Sequence, residues 1–115
     1  MLIGKSYKFD AAHFLPGHSI CGKVHGHTYT VVIELVGVYN KETHMVKDLH
    51  NIDAVMKPLI KQLDHTLLND IIPFPTCEDI GLWFVDKLYK SFAQSVTVTV
   101  QEGSGGYAKT KYGDA

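Results

Sequence analysis

Arginine is missing from this chain: all eleven basic residues are lysines, set against twelve acidic ones, for a net charge of −1 with the histidines neutral. Nucleic-acid-binding domains usually carry a basic stripe and use the planar arginine fork on phosphates and bases, so this composition argues against a nucleic-acid partner. Cysteine is scarce. Cys21 and Cys77 stand alone, without the paired spacing of a metal finger or a disulfide framework. No apolar run approaches the ~20 residues needed to cross a bilayer, which argues against a membrane partner. Nor does any N-terminal apolar run resemble a signal peptide, so the expected setting is a reducing cytoplasm. Repeats and low-complexity tracts are absent too; only Gly103-Ser104-Gly105-Gly106 is compositionally loose, and it reads as a flexible connection rather than a phosphate loop. At 115 residues the chain is expected to form one domain, 1–115, with a modest core.

What is present is histidine in a particular phase. In Cys21-Gly22-Lys23-Val24-His25-Gly26-His27, two imidazoles separated by one glycine share a face if a strand begins there. The same phase continues as Tyr29, Val31, Ile33 and Leu35, an apolar face. Upstream, Tyr7, Phe9, Ala11 and His13 form a second alternating set. If the two strands pair across the loop from Phe14 to Val24, His13 comes opposite the start of the second, where facing side chains are about 5 Å apart. Three converging imidazoles are a known zinc set that leaves one position for water or substrate. Cys21 is a candidate fourth ligand, so spacing leaves open a closed site of one cysteine and three histidines.

The first two strands read as about Leu2 to His13 and Val24 to Val38, with a short third near His44 to Asp48. His44 and His50 read as solvated, whereas His18 lies in the loop before Cys21. A helix is expected from Asn51 as N-cap, with Asp53 in its first turn and Ile52, Val55, Met56, Leu59, Ile60 and Leu63 at helical spacing. Pro58 should bend it. Asp64-His65 at its end reads either as a surface pair or as an imidazole made more basic by a carboxylate and ready to exchange a proton. Thr76 caps a second helix that buries Ile80, Trp83, Phe84, Leu88 and Phe92, and Cys77 in its first turn reads as a packing residue. The last strand alternates Val96, Val98 and Val100. Glu102 continues that phase, either leaving the sheet into water or aimed at a group that needs a carboxylate; spacing alone leans towards water.

Taken together, Phe9-Asp10-Ala11-Ala12-His13, Cys21-x-x-x-His25-Gly26-His27, Leu63-Asp64-His65 with Leu68-Asn69, Pro75-Thr76-x-Glu78 and the late Glu102 resemble the 6-pyruvoyl-tetrahydropterin synthase family, which includes 6-carboxytetrahydropterin synthase. The resemblance spans residues 7–102, and the short interval from Cys21 to His25 is similar to the carboxytetrahydropterin pattern. It implies an α+β tunnelling fold, a four-stranded antiparallel sheet with two helices on one face. It further implies a hexamer, a dimer of trimers, with active sites between subunits. The implied cofactor is Zn2+ on His13, His25 and His27. Cys21 matches the proton-abstracting thiol, Asp64 and His65 its partners, Glu102 the pterin anchor, and Thr76 and Glu78 further pterin-pocket positions. The implied activity is conversion of 7,8-dihydroneopterin triphosphate to 6-carboxy-5,6,7,8-tetrahydropterin with loss of triphosphate and acetaldehyde, an early step towards queuosine-type deazapurines. The alternatives are a pyruvoyl product, a pterin side-chain aldolase, or a zinc-binding protein without turnover. The chain departs from the family's usual Asp-Phe after the second strand, reading Thr43-His44-Met45-Val46-Lys47-Asp48-Leu49, and its tail after Glu102 carries no strong family feature.

Overall fold

The alternating segments do form strands. In the computed structural model, which describes residues 1–92 and 95–115, β1 (Leu2–His13) pairs antiparallel with β2 (His25–Val36), β2 with β3 (Ser95–Glu102), and β3 with β4 (Tyr107–Lys111). Two helices, α1 (Leu49–Leu63) and α2 (Cys77–Tyr89), lie between β2 and β3 in sequence. The four-stranded antiparallel sheet with two helices is thus the expected one, but its fourth member is not.

No strand forms at His44 to Asp48. That stretch is a turn closed by a single bridge between Asn40 and Met45, and His44 sits at φ +63. A left-handed residue cannot continue an extended strand, and the Tyr39 hydroxyl next to the His44 ring holds it in place. The missing member is β4, reached through the Gly103 to Gly106 segment. Rather than a loose connection, that segment is a tight hairpin turn with Gly103 at φ +58 and Glu102 N–H donating to Gly106 C=O at 3.0 Å.

One face of the sheet makes the core. Phe9, Ala11, Tyr29, Val31, Ile33, Leu35, Val96, Val98 and Val100 are buried against Ile52, Met56 and Leu63 of α1 and Ile80, Phe84 and Leu88 of α2. Each of the Val, Leu, Ile, Met and Phe side chains among them contributes about 1.5–3 kcal/mol by leaving water. The start of α1 also differs from expectation. Asp48, not Asn51, is its N-cap, accepting from His50 N–H at 2.9 Å. Asp53 is left to anchor the helix on the sheet, accepting from Lys5 Nζ at 2.7 Å and from the Tyr7 hydroxyl. Pro58 is accommodated within α1. Thr76 caps α2 as expected, accepting from Asp79 N–H at 3.1 Å. Trp83 is only half-buried, and the buried position on its turn is Gly81, whose missing side chain lets α2 approach Thr110 of β4. No described helix is long and apolar enough to cross a membrane.

Candidate functional site

The register of β1 and β2 decides the first cluster. His13 faces His25 and Ala11 faces His27, so all three imidazoles project from the core face at one end of the sheet. Their candidate ligand atoms lie within 4.8 Å of one another. His13 is almost fully buried; His25 and His27 are half-buried.

Backbone carbonyls fix the tautomers. His13 Nδ1 lies 2.8 Å from Pro75 C=O and His25 Nδ1 lies 2.7 Å from Lys23 C=O. A carbonyl oxygen only accepts, so each Nδ1 carries the proton and each neutral ring leaves its lone pair on Nε2. Those two Nε2 atoms stand 3.1 Å apart. Two lone pairs at that distance repel unless an electron-pair acceptor takes both. His27 Nε2 is buried without a hydrogen-bond partner among the described residues, because Glu102 Oε1, 3.2 Å away, is not aligned to bond it. Burial holds the His27 pKa below its ordinary value, with the Glu102 charge opposing and His13 and His25 adding to the depression. Three such nitrogens fit a divalent zinc, and the carbonyl-held Nδ1–H groups are the usual outer support of zinc-bound histidines. Cys21 is outside this group of mutually close ligand atoms, which disfavours the closed four-ligand site.

Beside the cluster is a cavity of about 280 Å³ lined by His13, Leu15, Thr76, Cys77, Glu78, Glu102, Gly106 and Tyr107. It brings together the three residues expected around a pterin, Thr76, Glu78 and Glu102. Glu102 does not leave the sheet into bulk water: its carboxylate faces His27 and stands 3.9 Å from His13 Nε2. Cys77 is a lining residue that its sequence context did not reveal. Burial, then the Glu102 and Glu78 charges, push its thiol up to about 11, partly offset by the Glu102 backbone N–H. At neutral pH it is a protonated wall.

The second cluster lies on the outer edge of β1. Asp64 closes α1, and His65, at φ +57, turns the chain so that its N–H donates to Asp10 C=O at 2.6 Å and Ala12 N–H donates to Thr66 C=O at 2.9 Å. His65 Nδ1 is 2.9 Å from Asp64 Oδ2. The hydrogen bond and charge of Asp64 raise the His65 pKa, and the Asp10 charge adds to it. The Asp64 pKa is held low by the Asp10 backbone N–H first and by His65 second. The surface-pair and proton-exchange readings are therefore combined: His65 is exposed, yet oriented and made more basic. Asp10 and its partner Thr28 were not singled out from sequence; their only signal was that they face each other on the polar phases of β1 and β2. An open groove of about 670 Å³ runs over Asp10, Thr28, His65 and His27. Within one chain, His65 and Glu102 line different cavities.

The chain matches the 6-pyruvoyl tetrahydropterin synthase family over residues 2–112 and belongs to that family. It is 39% identical over 111 residues, 96% of either chain, to a provisionally named 6-carboxy-5,6,7,8-tetrahydropterin synthase of Archaeoglobus fulgidus. It is 33% identical over 88 residues, 76% of this chain and 75% of the relative, to the dihydroneopterin monophosphate aldolase of Pyrococcus furiosus. Among solved structures it is similar to the 6-pyruvoyl tetrahydropterin synthase of Caenorhabditis elegans, with a TM-score of 0.87 at 21% identity over 96% of this chain and 94% of that one.

Proposed function

We propose that the protein is a zinc-dependent lyase that converts 7,8-dihydroneopterin triphosphate to 6-carboxy-5,6,7,8-tetrahydropterin, releasing triphosphate and acetaldehyde. The observation that carries this reading is the convergence of three imidazoles, two with Nε2 lone pairs fixed by backbone carbonyls, beside a cavity that ends in Glu102. In this reading His13, His25 and His27 hold the metal. A bound zinc supplies Lewis acidity towards oxygens of the substrate side chain, which makes adjacent C–H protons more acidic.

The chain's own residues do the rest. Glu102 accepts from the adjacent N–H and amino groups of the pterin, while Thr76 and Glu78 line the same cavity. Cys21, as thiolate, takes the carbon-bound proton. His65, oriented by Asp64, relays protons. Triphosphate then leaves by elimination, giving a side chain with two adjacent carbonyls, and one water adds to the carbonyl next to the ring so that the bond between the two carbonyl carbons breaks to a ring carboxyl and acetaldehyde. Because His65 and Glu102 line different cavities within one chain, the reading includes a hexamer, a dimer of trimers, in which active sites are completed between copies.

Mass spectrometry of the products from 7,8-dihydroneopterin triphosphate tests the proposal. A carboxyl product with acetaldehyde supports it. A pyruvoyl product reassigns the chain to the pyruvoyl branch, an aldol cleavage product to the activity named for the Pyrococcus furiosus relative, and stoichiometric zinc without turnover to a binding role.

A further inference from the structure

His18 has no part in the chemistry above, yet it has a specific place in the loop that carries Cys21. Its Nδ1 accepts two backbone N–H groups, from Ile20 at 3.1 Å and from Cys21 at 2.8 Å. The loop is closed on the other side by Leu15 N–H donating to Cys21 C=O at 2.7 Å and His18 N–H donating to Leu15 C=O at 3.1 Å. Both backbone polar groups of Cys21 are thereby held. Gly22 follows so closely that a Cβ there would stand 2.4 Å from the His18 carbonyl oxygen, which leaves the turn no room for a side chain.

An acceptor that bonds N–H groups two and three residues ahead is the arrangement Asn and Asp side chains make in turns and caps. Here an imidazole does it, and only when Nδ1 keeps its lone pair, with the ring proton on Nε2. The ring itself is exposed, so packing does not explain its position. Removing the acceptor would leave two adjacent N–H groups without a protein partner in a loop that has few other bonds to keep its shape.

We propose that His18 is the positioning residue of Cys21, its Nδ1 clamping the two N–H groups that fix the direction in which the thiol is presented. This deepens the assignment of Cys21 as the proton-abstracting base and rests on it. The clamp predicts a loss in the chemical step with little loss in binding, since the His18 ring bonds none of the residues lining the cavity around Glu102, and Leu15 is held through main-chain atoms that the substitution leaves in place.

The test compares His18→Ala with His18→Asn in the zinc-loaded protein, each checked for far-UV circular dichroism and metal content. His18→Ala is expected to lower kcat about tenfold with KM within about twofold, and to speed exchange of the Ile20 and Cys21 amide protons. His18→Asn supplies an acceptor at the same reach and is expected to recover most of kcat and the slow exchange. Unchanged kcat and exchange in His18→Ala overturn the proposal. So does a His18→Asn variant as impaired as His18→Ala, which would make the ring itself the required element. Failure of the underlying assignment reads differently: Cys21→Ala would then retain full turnover, and the clamp is judged by amide exchange alone, where unchanged rates in His18→Ala overturn it.

Discussion

Glu102→Gln is the substitution that separates a binding carboxylate from a solvated strand end. The backbone of Glu102 is fixed independently of its side chain, by the ladder to β2 and by its bonds with Gly105 and Gly106 in the hairpin. The side chain is 36% exposed, so the free protein keeps one side of the carboxylate in water and an amide fits the same place without strain. In the complex the carboxylate accepts from two neighbouring pterin donors, each charge-assisted bond contributing on the order of 1.5–3 kcal/mol. An amide retains one acceptor and turns a donor against the other N–H. The loss of one bond corresponds to about tenfold or more in affinity, about 1.4 kcal/mol at the lower end. Calorimetric titration of the zinc-loaded protein with a non-reacting pterin reads this directly, and the melting temperature and metal content should match the unaltered protein. Affinity within about twofold of the original would refute the reasoning, because no two-point contact with a carboxylate could survive that exchange.

His25→Ala and His27→Ala should each lose most of their zinc in metal analysis while keeping the sheet, and full metal in both would remove the assignment. Cys21 should be alkylated before Cys77 at pH 8, by mass mapping, because the Cys77 thiol is held at about 11. The same shift predicts alkaline destabilisation: the buried neutral thiol contributes fully below the ordinary value of 9.0, and that contribution is lost as pH rises towards about 11, so Cys77→Ala should flatten denaturation midpoints over this window. Gly81→Ala would place a Cβ 2.4 Å from Thr110 Oγ1 and 3.0 Å from Thr110 Cβ. Overpacking at about 1–3 kcal/mol outweighs the ~1 kcal/mol helix-propensity gain, so urea denaturation should show net destabilisation, relieved when Thr110→Ala is added. A Gly81→Ala variant of unchanged or higher stability would show that Thr110 moves aside freely.

The features read correctly from sequence were those with long, strict periodicity. β1, β2 and β3 each keep one inward phase along the strand, fully buried over residues 9–13, 29–35 and 96–100, and the histidines inherit their direction from it. β4 was invisible because its inward residues are Ala108 and Thr110, small enough for α2 to pack closely over them through Gly81, so no apolar alternation marks the strand. The error at His44 to Asp48 has the converse cause. Met45 and Val46 supply only an adjacent apolar pair there, with no alternation to support a strand, while the left-handed His44 that forbids one carries no glycine or asparagine to announce it. Asn51 was a reasonable cap by type, yet Asp48 caps the helix three residues earlier, because a cap is chosen by backbone geometry that composition does not display. Among the site residues, Asp10 and Thr28 escaped notice because Asp10 meets Asp64 and His65 from more than fifty positions away in sequence, and Thr28 joins them only through its bond to Asp10.

The oxygens that set the His13 and His25 tautomers belong to Pro75 and Lys23, but to their main chains. Lys23 is exposed, so substituting its side chain leaves the acceptor where it was, and a residue-by-residue scan would score it as dispensable while the function it supports stays intact. The vulnerability is displaced onto length. Inserting or deleting a single residue between Pro73 and Thr76, or between Gly22 and His25, would move a carbonyl away from its ring and free the imidazole to choose the other tautomer. Natural variation near this centre should therefore tolerate changes of letter at 23 and resist changes of spacing on either side of the rings, a constraint that follows from which atoms of the chain hold them.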